Sequence, residues 1–199
     1  MRDSGAVTTP VPTLRSERLC LRPFSAIDPD SLLTFQERNR AHLWEPKRDE
    51  AFYTRDYQRA QITASIVAEQ KGTDARFAAF ESDGTQIVAC VNLWSIRRGA
   101  IHAAVLGYSA DVDYQQRSFA QEAASAVIDY AFDMLNLHRI EASYQPLNER
   151  SGRVLRKLGF AVEGYARDYL FIAGEWRDGI LTSLTNNGWS PRSVASDAK

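Results

Sequence analysis

Between Arg76 and Ser109 the chain carries three apolar runs, Arg76 to Glu81, Gln86 to Trp94 and Ala100 to Ser109, joined by short turn-forming segments. Asp83-Gly84 is a hairpin signal between the first two, and Arg97-Arg98-Gly99 joins the second to the third. A chain that meanders this way must build a sheet, and helices must cover the faces that such apolar strands cannot leave in water. Directly after the meander the period changes. Ala120, Ala123, Val127, Ala131 and Met134 recur at three- and four-residue spacings, which predicts a helix over Phe119 to Asn136.

The flanking segments complete the pattern. Glu17 to Phe24 alternates like a strand, and Ala26 to Arg38 reads as a helix, with Pro29 suited to its first turn. Arg55 to Gln70 is a second helix with a rough apolar face at Tyr57, Ala60, Ile62, Ile66 and Val67. After the central helix come a strand from His138 to Tyr144, ended by Pro146, and a helix from Asn148 to Leu158, stopped by Gly159. Strands Tyr165 to Ile172 and Asp178 to Leu184 turn at Ala173-Gly174-Glu175. The order gives an α/β (α+β) class, a mixed, mostly antiparallel sheet with helices on both faces. It is neither a Rossmann alternation nor a sandwich.

At 199 residues the chain suits one domain, expected over residues 14–189, between a polar arm at 1–13 and a tail at 190–199. A formal net charge of -1 gives no global reason to expect nucleic-acid or membrane binding. Cys20 and Cys90 are the only cysteines and read as buried thiols, and His42, His102 and His138 lack ligand spacing, so no metal is expected. No run of about 18 apolar residues or signal-peptide core is present, and the cytoplasm is the expected compartment.

Several local strings, in order, resemble the GNAT acyltransferases, and within them the RimJ and RimL type, the ribosomal-protein-alanine N-acetyltransferases. They are Ser16-Glu17-Arg18-Leu19 with Leu21-Arg22-Pro23, Asn39 to Leu43, Trp44-Glu45-Pro46, Arg48-Asp49-Glu50, Leu106-Gly107-Tyr108-Ser109, Asn148 to Gly152, Leu158-Gly159-Phe160, Glu163-Gly164-Tyr165 and Trp176-Arg177-Asp178. The resemblance spans roughly Thr13 to Trp189. It implies the GNAT fold and acetyl transfer from acetyl-CoA to an amine. The acceptor would be a protein N-terminus, ribosomal proteins included, or a small-molecule amine. A third reading is a catalytically weak acyl-CoA-binding or ribosome-associated protein. The chain would act as a monomer or homodimer.

The resemblance also implies site residues. In the family a Q/R-x-x-G-x-G/A loop opens the central helix and meets the donor's pyrophosphate through helix N-terminal amides. Here that loop is Gln115-Gln116-Arg117-Ser118-Phe119-Ala120, with Ser118 where the family has glycine. A position with φ > 0 would strain a serine by on the order of 1 kcal/mol. Read by itself, the segment is equally a solvated helix start with an N-cap serine. Tyr108 and Ser109 lie on the strand expected to splay, whose backbone amides would polarise the thioester carbonyl. The N-x-x-S motif gives Asn148 for the donor's arm and Ser151 as the acid for the leaving sulfur, with Arg150 beside them. Asn148 is equally a helix N-cap, and Tyr108 and Tyr144 are alternative acids. Asp168 is the expected base, with Glu163, Glu45, His102 or a relayed water as alternatives. Trp44, Phe52, Tyr53, Tyr165, Tyr169 and Trp176 are candidates for an acceptor groove or for ordinary packing.

Overall fold

Each helix begins and ends where local chemistry dictates. In the computed structural model, which describes residues 10–41, 48–172 and 174–191, helix α1 spans Pro29–Arg38. It starts three residues later than Ala26 because Asp28 precedes a proline and is driven to extended backbone (ψ 147), from where its carboxylate caps the Ser31 N–H at 2.8 Å. Phe24–Ala26 forms a short 3-10 turn instead. Helix α2 (Arg55–Lys71) is capped by Thr54 and ends at Gly72, φ 66. Helix α3 (Phe119–Asp129) widens into a π-helical turn over Tyr130–Met134, in which the Leu135 N–H reaches the Tyr130 carbonyl at 3.1 Å. Helix α4 (Glu149–Lys157) is capped by Asn148 and followed by Gly159 at φ 88, as the sequence led one to expect.

Among the described residues eight strands form one sheet: β1 (Leu14–Arg15), β2 (Leu19–Pro23), β3 (Ala75–Glu81), β4 (Ile87–Arg97), β5 (Ala103–Ala110), β6 (Arg139–Tyr144), β7 (Ala161–Ile172) and β8 (Glu175–Thr185). Their spatial order is β1-β2-β3-β4-β5-β6-β8-β7. Every neighbouring pair is antiparallel except β5 and β6, which α3 connects. The expected class is therefore the observed one, with β1 added at one edge.

Alternation along β3 explains the two-sided core. Ala75, Phe77 and Ala79 join Leu19, Leu21, Val91 and Leu106 beneath Phe119, Ala123 and Val127 of α3 and Leu155 of α4. Ala78 and Phe80 point the other way, to Leu32 and Phe35 of α1 and Ile62 of α2. A strand buried on both faces needs a continuous apolar run, which is what β3 and β4 carry. Cys20 and Cys90 are buried and free. No helix among the described residues is long and apolar enough to cross a membrane.

One feature of the sheet creates the site. Strands β5 and β6 pair only from Ala103 to Val105 against Arg139 to Glu141. Beyond these residues β5 continues to Ala110 and β6 to Tyr144 without pairing to each other, so the sheet opens into a V.

Candidate active site

The open V leads into a cleft of about 890 Å³ lined by the end of β5, the loop that follows it, and α4. Its walls contain Tyr108, Ser109, Gln115, Gln116, Ser118, Phe119, Ala120, Asn148, Arg150 and Ser151, ten of the residues singled out from the sequence.

Where β5 ends, Asp111 is fully buried. Its carboxylate accepts hydrogen bonds from Arg38 Nε at 2.6 Å and Asn39 Nδ2 at 3.0 Å, both at the end of α1. Its other oxygen accepts from the Asp113 N–H at 3.0 Å, and Asn39 Oδ1 accepts from the Val112 N–H at 2.7 Å. This knot anchors the 3-10 turn Val112–Tyr114 from which the loop 115–118 departs.

In that loop Gln116 and Ser118 both have φ 62, in the left-handed region. Ser118 therefore adopts the conformation that favours glycine, and its hydroxyl does not cap α3. With no side-chain cap, the first N–H groups of α3 lack a helical partner, and Phe119, Ala120 and Gln121, which carry them, line the cleft. The acidic residue in this first turn, Glu122, is engaged outside the cleft by Ser16 Oγ at 2.7 Å and Arg18 Nε at 2.7 Å. Arg18 also donates to the Arg117 carbonyl at 3.1 Å, bracing the loop from behind. Replacing Ser118 by glycine is expected to relieve on the order of 1 kcal/mol of left-handed strain. Part of that is returned as unfolded-state freedom, for a net gain of about 0.5 kcal/mol and roughly 1–2 °C in Tm. A loss of stability in thermal unfolding would show that the serine side chain makes a contact outweighing its strain.

Helix α4 forms the opposite wall. Asn148 Oδ1 accepts from the Ser151 N–H at 3.1 Å, so the asparagine is the helix cap and lines the cleft at once. Arg150, Arg153 and Lys157 follow at spacings of three and four residues and present a basic stripe to the cleft. Arg153 and Lys157 were not anticipated, although their spacing from Arg150 was readable. Arg150 donates to Gln115 Oε1 across the cleft.

Tyr108 and Ser151 meet between the two walls. The phenol lies 3.0 Å from Ser151 Oγ and 3.1 Å from the Ser151 carbonyl oxygen. Burial pushes the Tyr108 phenol up to about 12, so it keeps its proton. Tyr144 instead packs its ring on Gly152, where an added Cβ would lie 2.8 Å from the ring.

The remaining candidates are placed elsewhere. Arg117 does not line the cleft, and its guanidinium faces Glu81 at 3.8 Å and the Tyr114 ring. Asp168 is exposed in a bulge of β7, φ 48, with its N–H bonded to Asp178 Oδ1 at 2.9 Å, outside the lining of this cleft. Glu163 is paired with Arg139 and accepts from Ser183 Oγ at 2.7 Å, which hold its carboxyl below the usual range. His102 precedes β5 and stacks on Trp189 with ring centroids 5.0 Å apart. Six residues of strand, roughly 20 Å, separate it from Tyr108. Glu45, His42 and Trp44 lie outside the described residues. Phe52 packs against Tyr53 and Tyr57, whereas Tyr165, Tyr169 and Trp176 are exposed on the β7–β8 hairpin.

Uncapped helix amides and a basic stripe suit a ligand that carries phosphates, as the acetyl-CoA implied by the family resemblance does. Among the described residues no group of His, Cys, Asp and Glu could hold a metal ion. Comparison with known proteins gives the same direction. Residues 18–161 match the family model of the acetyltransferase (GNAT) domain. The [ribosomal protein uS5]-alanine N-acetyltransferase of Escherichia coli is 38% identical over 180 residues, covering 89% of this chain and 93% of that protein. A crystal structure of the ribosomal-protein-S5-alanine acetyltransferase of Vibrio fischeri superposes with a TM-score of 0.85 at 36% identity, over 91% of this chain and all (100%) of that one. Mycobacterium smegmatis RimJ, solved in complex with CoA-disulfide, gives a TM-score of 0.77 at 26% identity, over 84% and 81% of the two chains.

Proposed function

Because this chain belongs to the GNAT acetyltransferase family, we propose that it transfers acetyl from acetyl-CoA to the N-terminal α-amine of a protein, a ribosomal protein foremost. The observation that carries the reading is the cleft itself. It brings uncapped α3 amides, the α4 basic stripe and the Tyr108–Ser151 pair to one place at the opening of the sheet. Near full-length similarity to alanine N-acetyltransferases of ribosomal proteins supports the acceptor. With a ribosomal acceptor the reaction would run in the cytoplasm.

Acetyl-CoA supplies an activated acetyl thioester. The first amides of α3 and the side chains of Arg150, Arg153 and Lys157 would hold its phosphates. Beyond Val105 the edge of β5 that faces β6 has no strand partner, and its backbone would offer amides to the acyl carbonyl. Ser151 Oγ donates the proton that the departing sulfur requires. An N-terminal amine has a pKa of about 8, so water suffices to take its proton near neutral pH.

The test is acetylation of a panel: a peptide with a free N-terminal alanine taken from a ribosomal protein, the same peptide blocked at its N-terminus, and a polyamine. Intact-mass analysis should show one acetyl group on the free peptide and none on the blocked one. Modification of the polyamine in preference to the peptide would assign a small-molecule acceptor instead.

A further inference from the structure

Two hydroxyls from distant parts of the chain meet at the cleft. Tyr108 stands on β5 and Ser151 in the first turn of α4, 43 residues apart. The two elements flank the opening where β5 and β6 no longer pair. The Tyr108 phenol is within hydrogen-bond reach of both oxygens of Ser151, and both residues line the cleft.

We infer that Tyr108 is a positioning residue for Ser151: its O–H donates to the Ser151 carbonyl oxygen at 3.1 Å, and its oxygen stands 3.0 Å from Ser151 Oγ, which sets the serine hydroxyl at the cleft. This rests on the acetyl-transfer reading above. The phenol has one hydrogen to give, the Ser151 carbonyl takes it, and the phenol oxygen keeps its lone pairs within reach of Ser151 Oγ. When the C–S bond breaks, its electron pair stays on sulfur and the Ser151 Oγ proton passes to that sulfur. The serine is reprotonated by the water that took a proton from the acceptor amine, so Tyr108 begins and ends neutral. The same bond ties β5 to α4 across the V, which holds the serine beside the strand whose amides face the acyl carbonyl.

The test combines kinetics with a readout that needs no turnover. Tyr108→Phe keeps the ring and removes the hydroxyl. It should lower kcat at least tenfold while the KM for acetyl-CoA changes less than threefold. Ser151→Ala should lower kcat by about 10²-fold or more, and adding Tyr108→Phe to it should cost less than a further twofold, because the phenol would act only through the serine. In protein labelled with 13C at tyrosine Cζ, the Tyr108 resonance, identified by its loss in Tyr108→Phe, should move in Ser151→Ala without any ligand. Multiplying losses in the double variant, or a resonance that does not respond to Ser151→Ala, would overturn the inference. If wild-type protein binds no acetyl-CoA, the donor reading fails, and the resonance experiment still decides whether the two hydroxyls are coupled.

Discussion

Asp111→Ala should destabilise the fold by about 3–5 kcal/mol, the cost of leaving the other half of a buried ion pair without its partner. For a domain of this size that corresponds to a fall in Tm of roughly 6–20 °C. Asp111 is fully buried and Arg38 mostly so, with 23% of its side chain exposed, and Asn39, also fully buried, loses the same acceptor. Asp28→Ala is the matched comparison. It removes an exposed helix cap whose loss costs about 1 kcal/mol. Thermal and urea unfolding of the two variants checks the difference. Equal losses would show that the Asp111 knot contributes no more than an ordinary cap. Because Asp111 anchors the turn leading into residues 115–118, its variant should also bind acetyl-CoA more weakly, even at a temperature where it is folded.

The second large effect is on the donor. Replacing Arg150, Arg153 and Lys157 together by alanine should weaken acetyl-CoA binding by about 10²–10³-fold. That follows from roughly 1 kcal/mol or slightly more for each partly hydrated charge meeting a phosphate. All three side chains are exposed, so unfolding should change little. Arg156 on the same helix carries the same charge and does not line the cleft, and Arg156→Ala should leave the affinity within about twofold. Calorimetric titration at two salt concentrations measures both. Equal effects from Arg156 and from the three cleft residues would mean that net charge, not the stripe, draws the donor in.

What could be read from the sequence follows the range of the forces involved. Helix ends were legible where a single residue decides them, as at Gly159 and the Asn148 cap, whereas the Asp28 cap was not and α1 begins three residues after the expected Ala26. The sheet meander was legible because Phe77 to Phe80 of β3 and Ile87 to Val91 of β4 are buried on both faces and so form continuous apolar runs. Strand β1 has only two residues and offers no periodicity. Strand β7 is largely exposed, so its first residues, Ala161 to Gly164, carry no alternating pattern and were not assigned to it. The widening of α3 after Asp129 has no local signal in the sequence; Tyr130, its first residue, packs on Phe77 with ring centroids 5.6 Å apart, a contact made across the fold.

The same rule sorts the site residues. Gln115 to Ala120, Asn148 and Ser151 came from motifs of the family that the chain resembles, and all except Arg117 line the cleft. The left-handed backbone at Ser118 was anticipated as a strain and is present. Arg153 and Lys157 were available from helical spacing and were passed over. The Asp111 knot joins residues 72 and 73 positions apart, and no local pattern announces it.

The most direct test of the central claim, that this cleft holds acetyl-CoA, is thermal unfolding of the protein with acetyl-CoA, with CoA and with neither. A ligand at 100 times its Kd adds about 2.7 kcal/mol, which is roughly 5–10 °C for a domain of this size. The cleft as described predicts a rise of that order with both ligands, abolished at the same concentrations by the Arg150, Arg153 and Lys157 substitutions. An unchanged Tm at millimolar acetyl-CoA would contradict it.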